Sequence, residues 1–339
     1  MNNFFIKFFR IIFYVTGFVV TMFIIFYLGT SGRYQVANTV EQDPSIPHII
    51  IDNTVFHSET FGNDSCDVII VIHGGPGNDY RYLLDLKELA DQYFVVFYDQ
   101  RGTGLSPRVS AEELSLDTML SDLNNIVDYF SAGRSVNLIG HSWGAMLVAG
   151  YIAQHPDKVN KAVLAEPGML TSAKAKEYME KFRIHFSLKL LFLVAKTWFQ
   201  QLHIHKPDIQ AGGDYFFAQI GRADIEGNPM SGYFCNEDLN NASIDYWRYS
   251  WRSSQEIIKK GMDDEGNLAI DLVSGLNRFN KKALFIAGEC NKIIGPQYQK
   301  DHMIYFPEAE LVVIPDAGHT MIGEKPGECL RVIRDYLNE

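Results

Sequence analysis

Residues 135–147 read SVNLIGHSWGAML. Val136 to Ile139 form an apolar, strand-like run, and AMLVAGYIA from Ala145 onward has the small-residue pattern of a helix packed close to its neighbours. Between them, Gly140-His141-Ser142-Trp143-Gly144 leaves the chain almost no room to pass from strand to helix. Side chains at the two glycine positions would clash in so tight a turn. The same turn holds Ser142 in strained geometry with its hydroxyl above the sheet, at a helix N-terminus whose dipole favours developing negative charge. Strand, G-x-S-x-G and helix together make a nucleophile elbow, with Ser142 the expected nucleophile.

Upstream and downstream the same alternation recurs. HIIIDNTVFHSE (48–59), DVIIVI (67–72), YFVVFYD (93–99) and KAVLAE (161–166) read as strands, each ending at a turn residue. YLLDLKELADQ (82–92) and TMLSDLNNIVDYF (118–130) are apolar at three- and four-residue spacing, as helices are. Strands alternating with helices predict an α/β fold with a mostly parallel sheet covered on both faces. From 168 to 278 helical and aromatic segments replace that alternation before KALFIAG and AELVVIP resume it, so 48–167 and 279–339 read as two parts of one core and 168–278 as an inserted helical cap. Within the cap, SLKLLFLVAKTWFQQL (187–202) is strongly apolar, with Lys189 and Lys196 on one face; packing on the core is the ordinary reading and an in-plane membrane contact the sharper one.

The N-terminus is different in kind. No charged side chain interrupts residues 11–32, long enough to cross ~30 Å of hydrocarbon as a helix. Residues 1–32 therefore read as a single-pass transmembrane anchor and 33–47, with Pro44 and Pro47, as a linker. Lys7 and Arg10 precede the apolar run, while Arg33 and then Glu41 and Asp43 follow, which expects a cytoplasmic N-terminus and a catalytic domain outside the cytoplasm. A cleaved signal peptide is the rival, but the apolar run exceeds the ~7–15 residues of a signal h-region. A net charge of −11 without basic runs sets nucleic acid aside as a partner. The four cysteines lack the spacing of a zinc site, so no metal is expected; disulfides are permitted outside the cell but not pairable from sequence, and small buried hydrophobes are the default.

VIIVIHGGPGND (68–79) places glycines directly after a strand, where a backbone N–H, that of Gly75, can join that of Trp143 in an oxyanion hole. ELVVIPDAGHT (310–320) ends a strand and puts His319 in a loop near the C-terminus, as a general base following the nucleophile in chain order. His73 and His141, inside the tight motifs, read as structural.

HGGPG, DQRGTGLS (99–106) and GHSWG together resemble the α/β-hydrolase superfamily, and specifically its proline iminopeptidase-like branch, over roughly 48–339. The resemblance implies an α/β-hydrolase fold with a Ser-His-acid triad and a helical cap, no cofactor, and an aminopeptidase acting on a small-molecule or short-peptide substrate through an acyl-enzyme on Ser142. It also implies that Asp99 and Arg101 brace a loop. An esterase, amidase or lactonase on small acyl substrates is the alternative, and a non-catalytic ligand-binding receptor on a hydrolase scaffold the alternative of another class. Peptidases of this branch use cap carboxylates for the substrate amine, and GDYFFAQ (213–219) matches a family segment only faintly. Trp247 and Trp251, four residues apart in DYWRYSWR, would share a face and could wall a pocket if that stretch is helical.

One position departs from the family. KALFIAGECN (282–291) aligns Asn291 with the expected aspartate, and an amide cannot stabilise an imidazolium as a carboxylate does. In a serine-protease triad that exchange lowers kcat by about 10⁴. Either the acid has moved to Glu166, which ends the strand KAVLAE and sits beside the later strand end in this fold, or Glu289 serves, or catalysis is lost.

Overall fold

Val68–Ile72 carries the clearest physical signature in the chain: every side chain is buried. In the computed structural model, which describes residues 2–182, 185–242 and 244–339, this run is strand β3 near the middle of an eight-stranded sheet. The others are β1 (His48–Ile51), β2 (Thr54–Phe61), β4 (Phe94–Tyr98), β5 (Val136–His141), β6 (Val159–Ala165), β7 (Ala283–Gly288) and β8 (Ala309–Ile314). Their order across the sheet is β1-β2-β4-β3-β5-β6-β7-β8, antiparallel at β1/β2 and β2/β4 and parallel from β4 to β8. Alternate residues of β3 serve two cores: Val68, Ile70 and Ile72 pack on one face, Ile69 and Val71 on the other. Both faces are covered, as the two-residue period of a buried parallel strand requires.

Helix α1 is Asn2–Gly29, and α2 (Leu116–Ser131) and α3 (Trp143–Gln154) follow in the core. Between β6 and β7 come α4 (Ser172–Lys181), α5 (Leu188–Gln201), α6 (Ala211–Gly221) and α7 (Trp251–Lys260); then α8 (Pro296–Met303), α9 (Met321–Glu324) and α10 (Pro326–Leu337) complete the chain. Of the ranges expected for anchor and cap, Met1, Arg183, Ile184 and Ser243 lie outside the described residues.

The structure differs from the sequence reading in the following elements. HIIIDNTVFHSE is a hairpin rather than one strand, because Asp52 and Asn53 both take positive φ (46° and 61°), the conformation of a two-residue turn that twists with its strands. Arg81–Asp91 is a 3₁₀ segment with Leu83, Leu86 and Leu89 facing the core at three-residue spacing. Residues 33–47 are not a free stalk: Thr39 and Val40 are buried, Val40 N donates to Leu105 O (2.9 Å), and Arg248 of the cap donates to Ala37 O (3.1 Å).

Two cysteines also depart from the default. Cys235 and Cys290 form a disulfide that ties the cap to the loop after β7, whereas Cys329 is a buried thiol and Cys66 a partly exposed one.

Candidate active site

Parallel strands end together, so the carboxyl edge of the sheet collects the loops after β3, β5, β6, β7 and β8. Ser142, directly after β5, has φ 54° and ψ −118°, a conformation a non-glycine residue holds only when its surroundings impose it. Close packing imposes it: a Cβ on Gly144 would lie 2.1 Å from Ile72 O, and one on Gly140 2.5 Å from Gly144 O. Backbone contacts of that kind cannot yield. Ser142 N donates to Ala165 O (2.9 Å), fixing the elbow to the strand that carries Glu166.

The HGGPG loop lies against the elbow, because a Cβ on Gly74 would come 3.1 Å from Ser142 Cβ. Gly75 adopts φ 134°, in a turn with a cis bond to Pro76. Trp143 opens α3, where the helix offers its N–H no intrahelical acceptor. Its indole Nε1 donates to Gln100 Oε1 (2.9 Å), Gln100 Nε2 donates to His73 O (2.8 Å), and Gln100 N donates to His73 Nε2 (3.1 Å). The DQRGTG segment thus holds the glycine loop in place. Asp99 accepts from Leu105 N (2.7 Å) and Tyr80 N (3.1 Å) and pairs with His57 (2.6 Å), and Arg101 grips Asp122 with two nitrogens at 2.7 and 2.6 Å. Both are occupied in bracing loops.

Glu166 closes β6 with φ 45°, yet its N–H still donates to Ile286 O (2.9 Å) of β7. That kink turns a fully buried carboxylate sideways, beneath the His319 loop. Glu166 Oε2 lies 2.5 Å from His319 Nδ1, and Oε1 accepts from Gly288 N (2.9 Å). Asn291 Nδ2 donates to the same Oε2 at 2.6 Å. The amide's orientation is fixed by its other end, because Asn291 Oδ1 accepts from Ile293 N (2.9 Å) and Ile294 N (3.1 Å). An acceptor at both ends would break this set; only an amide offers an NH₂ to the carboxylate and an oxygen to the loop.

Burial raises the Glu166 carboxyl well above the ordinary carboxylate range, opposed by the hydrogen bonds from Asn291 and Gly288. Burial likewise pushes the His319 imidazole down, to about 3, because a buried site disfavours its charged form. His319 is held by its backbone as well: its N–H donates to Tyr233 O (2.8 Å) and its carbonyl accepts from His141 Nε2 (2.7 Å). The rings of His141 and Tyr233 flank it at 4.5 and 4.6 Å. Tyr82 hydroxyl joins the two glycine motifs, accepting from Gly74 N (2.7 Å) and bonding His141 Nδ1 (2.7 Å).

Of the sequence-derived residues, Ser142, Trp143, Gly75, Glu166, Asn291 and His319 come to this one edge. Glu289, the other acid considered, is exposed and accepts from Asp316 N (3.2 Å), away from the imidazole. Trp247 and Trp251 do not share a helical face, because α7 begins only at Trp251. Trp247 packs edge-on against His57 and Tyr80, and Trp251 stacks on Phe217. Sequence reading missed Tyr82, Tyr233 and Gln100, whose roles depend on long-range packing that no local pattern carries. Among the described residues, no cluster of three metal-ligating side chains occurs.

Comparison with known proteins agrees with this architecture. The family model described as alpha/beta hydrolase fold matches residues 67–326. A proline iminopeptidase of Heyndrickxia coagulans is 28% identical over 80% of this chain and 90% of its own, and an esterase of Escherichia coli is 23% identical over 80% and 93%. A solved membrane phospholipase A superimposes with a TM-score of 0.58 at 15% identity, covering 100% of this chain and 98% of that one. With the elbow, the strand order and the family match in agreement, the chain belongs to the α/β-hydrolase fold family, among relatives that are hydrolases.

Proposed function

We propose that this chain is a membrane-anchored serine hydrolase whose triad acid has moved to the end of β6, with Ser142 as nucleophile, His319 as general base and Glu166 as the acid. The observation that carries it is the 2.5 Å contact between Glu166 Oε2 and His319 Nδ1, with Asn291 bracing the carboxylate. In the reaction, Ser142 Oγ forms a bond to the acyl carbon while its proton passes to His319 Nε2. The N–H groups of Gly75 and Trp143 hold the oxyanion, and Glu166 stabilises the imidazolium. His319 returns the proton to the leaving oxygen or nitrogen as that bond breaks. Water then attacks the acyl-enzyme, gives a proton to His319, and the acid product leaves as Ser142 regains its hydrogen.

On substrate, one observation favours a small acyl ester, lactone or amide. Asp214, the cap carboxylate in GDYFFAQ, is buried and committed: it accepts from Arg248 Nε (2.8 Å), Arg108 (3.2 Å) and Trp251 N (3.0 Å). A carboxylate neutralised by guanidinium groups is not available to a substrate amine. The aminopeptidase reading is supported by the proline iminopeptidase of H. coagulans and by its equivalents in two Lactobacillus species. The test is fluorophosphonate labelling of the full chain and its Ser142→Ala variant, followed by hydrolysis of nitrophenyl esters against proline naphthylamide. Labelling lost only in Ser142→Ala supports the nucleophile; an unlabelled wild type returns the receptor reading, and faster turnover of the proline amide returns the aminopeptidase.

The anchor reading is supported by α1, apolar and unburied over Phe5–Gly29. Placement of the body outside the cytoplasm is supported by Lys7 and Arg10 before the span and by the Cys235–Cys290 disulfide, a bond that persists in oxidising compartments.

A further inference from the structure

Helix α5 of the cap buries little of its apolar surface. Leu188, Leu191, Phe192 and Phe199 fall on one face at helical spacing, yet Leu188 is 76% exposed, Leu191 52% and Phe192 62%. The far end of that face is covered by α1. Phe199 packs on Phe23 and Phe26 with ring centroids 5.2 and 5.4 Å apart, and the His203 ring nitrogen Nε2 bonds Tyr27 O (2.9 Å), a carbonyl in the last turn of α1 that also accepts from Thr30 Oγ1 (3.2 Å). The contact involves only the last two turns of a helix long enough to cross a bilayer. So α1 covers the C-terminal end of the α5 face and leaves its N-terminal half open.

We propose that α5 is a second membrane contact, lying in the plane of the bilayer interface beside α1 with Leu188, Leu191 and Phe192 among the lipid chains. This rests on α1 being a membrane span. If it is, its docked end fixes α5 at the level where hydrocarbon gives way to headgroups, and the apolar face of α5 is continuous with the lipid-facing surface of α1. Lys189 and Lys196, both exposed, flank that face, where their stems can run along it and their ammonium groups reach lipid phosphates. Exposed Trp198, beside the α1 contact, has the amphipathic ring favoured at that depth. A helix with this pattern binds in the interface with its apolar face ~5–10 Å below the headgroups. The cap that covers the Ser142 edge would then sit on the membrane, so that acyl substrates partitioned into lipid lie close to the site.

The test uses the full chain in vesicles of phosphatidylcholine and phosphatidylglycerol. An environment-sensitive nitrobenzoxadiazole label is attached at Phe192→Cys in a Cys66→Ser background, with Glu308→Cys as an exposed control. The proposal expects blue-shifted emission at Phe192→Cys that spin-labelled lipid quenches and aqueous iodide does not, with the opposite at Glu308→Cys. Iodide quenching at both positions, in protein that resists alkaline extraction, overturns the α5 contact while leaving the anchor intact. Extraction at alkaline pH instead overturns the anchor reading itself. Cross-linking of two chains through Phe192→Cys, with no quenching by lipid, assigns the face to a second copy and also overturns the proposal.

Discussion

Asn291 stands where the resemblance expects an aspartate, and its neighbours suit an amide. It donates to Glu166 Oε2 at 2.6 Å and accepts from two backbone N–H groups, so it completes a carboxylate site instead of forming one. If the proposed triad holds, Asn291→Asp should therefore lower activity. In Asn291→Asp a second carboxylate would face Glu166 at hydrogen-bonding distance in a buried site, and two such groups cannot both ionise. One of them takes up a proton, and the charge left to stabilise the imidazolium is shared between them. Fluorophosphonate labelling of Asn291→Asp should fall by about 10-fold or more, on the scale of losing one charge-assisted hydrogen bond. A rate equal to wild type or faster would mean that the amide has no part in holding the acid. The departure at Asn291 was legible in the sequence, as was Glu166 at a strand end. The bond between them was not, because it joins residues 125 positions apart through pairing of β6 with β7.

Among the elements, strands and the elbow were the most legible and the cap the least. Strands β3 to β8 carry their own period and end at turn residues, and the elbow's glycines are required by backbone contacts within one βα unit. The 3₁₀ segment at Arg81–Asp91 imitates a helix because three-residue spacing serves both, and the stretch before α7 imitates one because aromatic residues at four-residue spacing also suit irregular packing. The cap segment Ser231–Glu237 has no periodic signal, yet it covers the His319 loop: Tyr233 O accepts from His319 N, Gly232 O accepts from Lys292 N (3.0 Å), and Cys235 is bonded to Cys290 next to Asn291. Opening that disulfide should loosen both. The Cys235→Ser/Cys290→Ser variant is expected to lose about 2–4 kcal/mol of stability, read as a lower Tm, and to label more slowly than wild type. Unchanged Tm and labelling would show that packing alone holds the segment.

At the scale of the whole molecule, two buried assemblies join parts that sequence order keeps apart. One is ionic: Arg248, fully buried, is bound to Asp208 at 2.8 Å through two nitrogens, to Asp214 at 2.8 Å, and to Ala37 O in the segment that follows α1. It fastens α1's connection to the cap, which is why residues 33–47 do not hang free. Arg248→Met would leave two carboxylates without their main partner, and removing one member of such a buried set costs about 3–5 kcal/mol. A correspondingly large drop in Tm is expected, with protease sensitivity appearing first between residues 33 and 47; a Tm within error of wild type would contradict the clasp. The other assembly is the carboxyl edge of the sheet, where adjacent strand ends let an acid after β6 reach the same imidazole as one after β7. The measurement that tests this most directly is the fluorophosphonate labelling rate of Glu166→Gln beside wild type, with thermal unfolding run on both. Placement of the triad acid at Glu166 predicts a loss approaching the ~10⁴-fold seen when a triad carboxylate becomes an amide, in protein that remains folded. A folded Glu166→Gln that labels at the wild-type rate would contradict it.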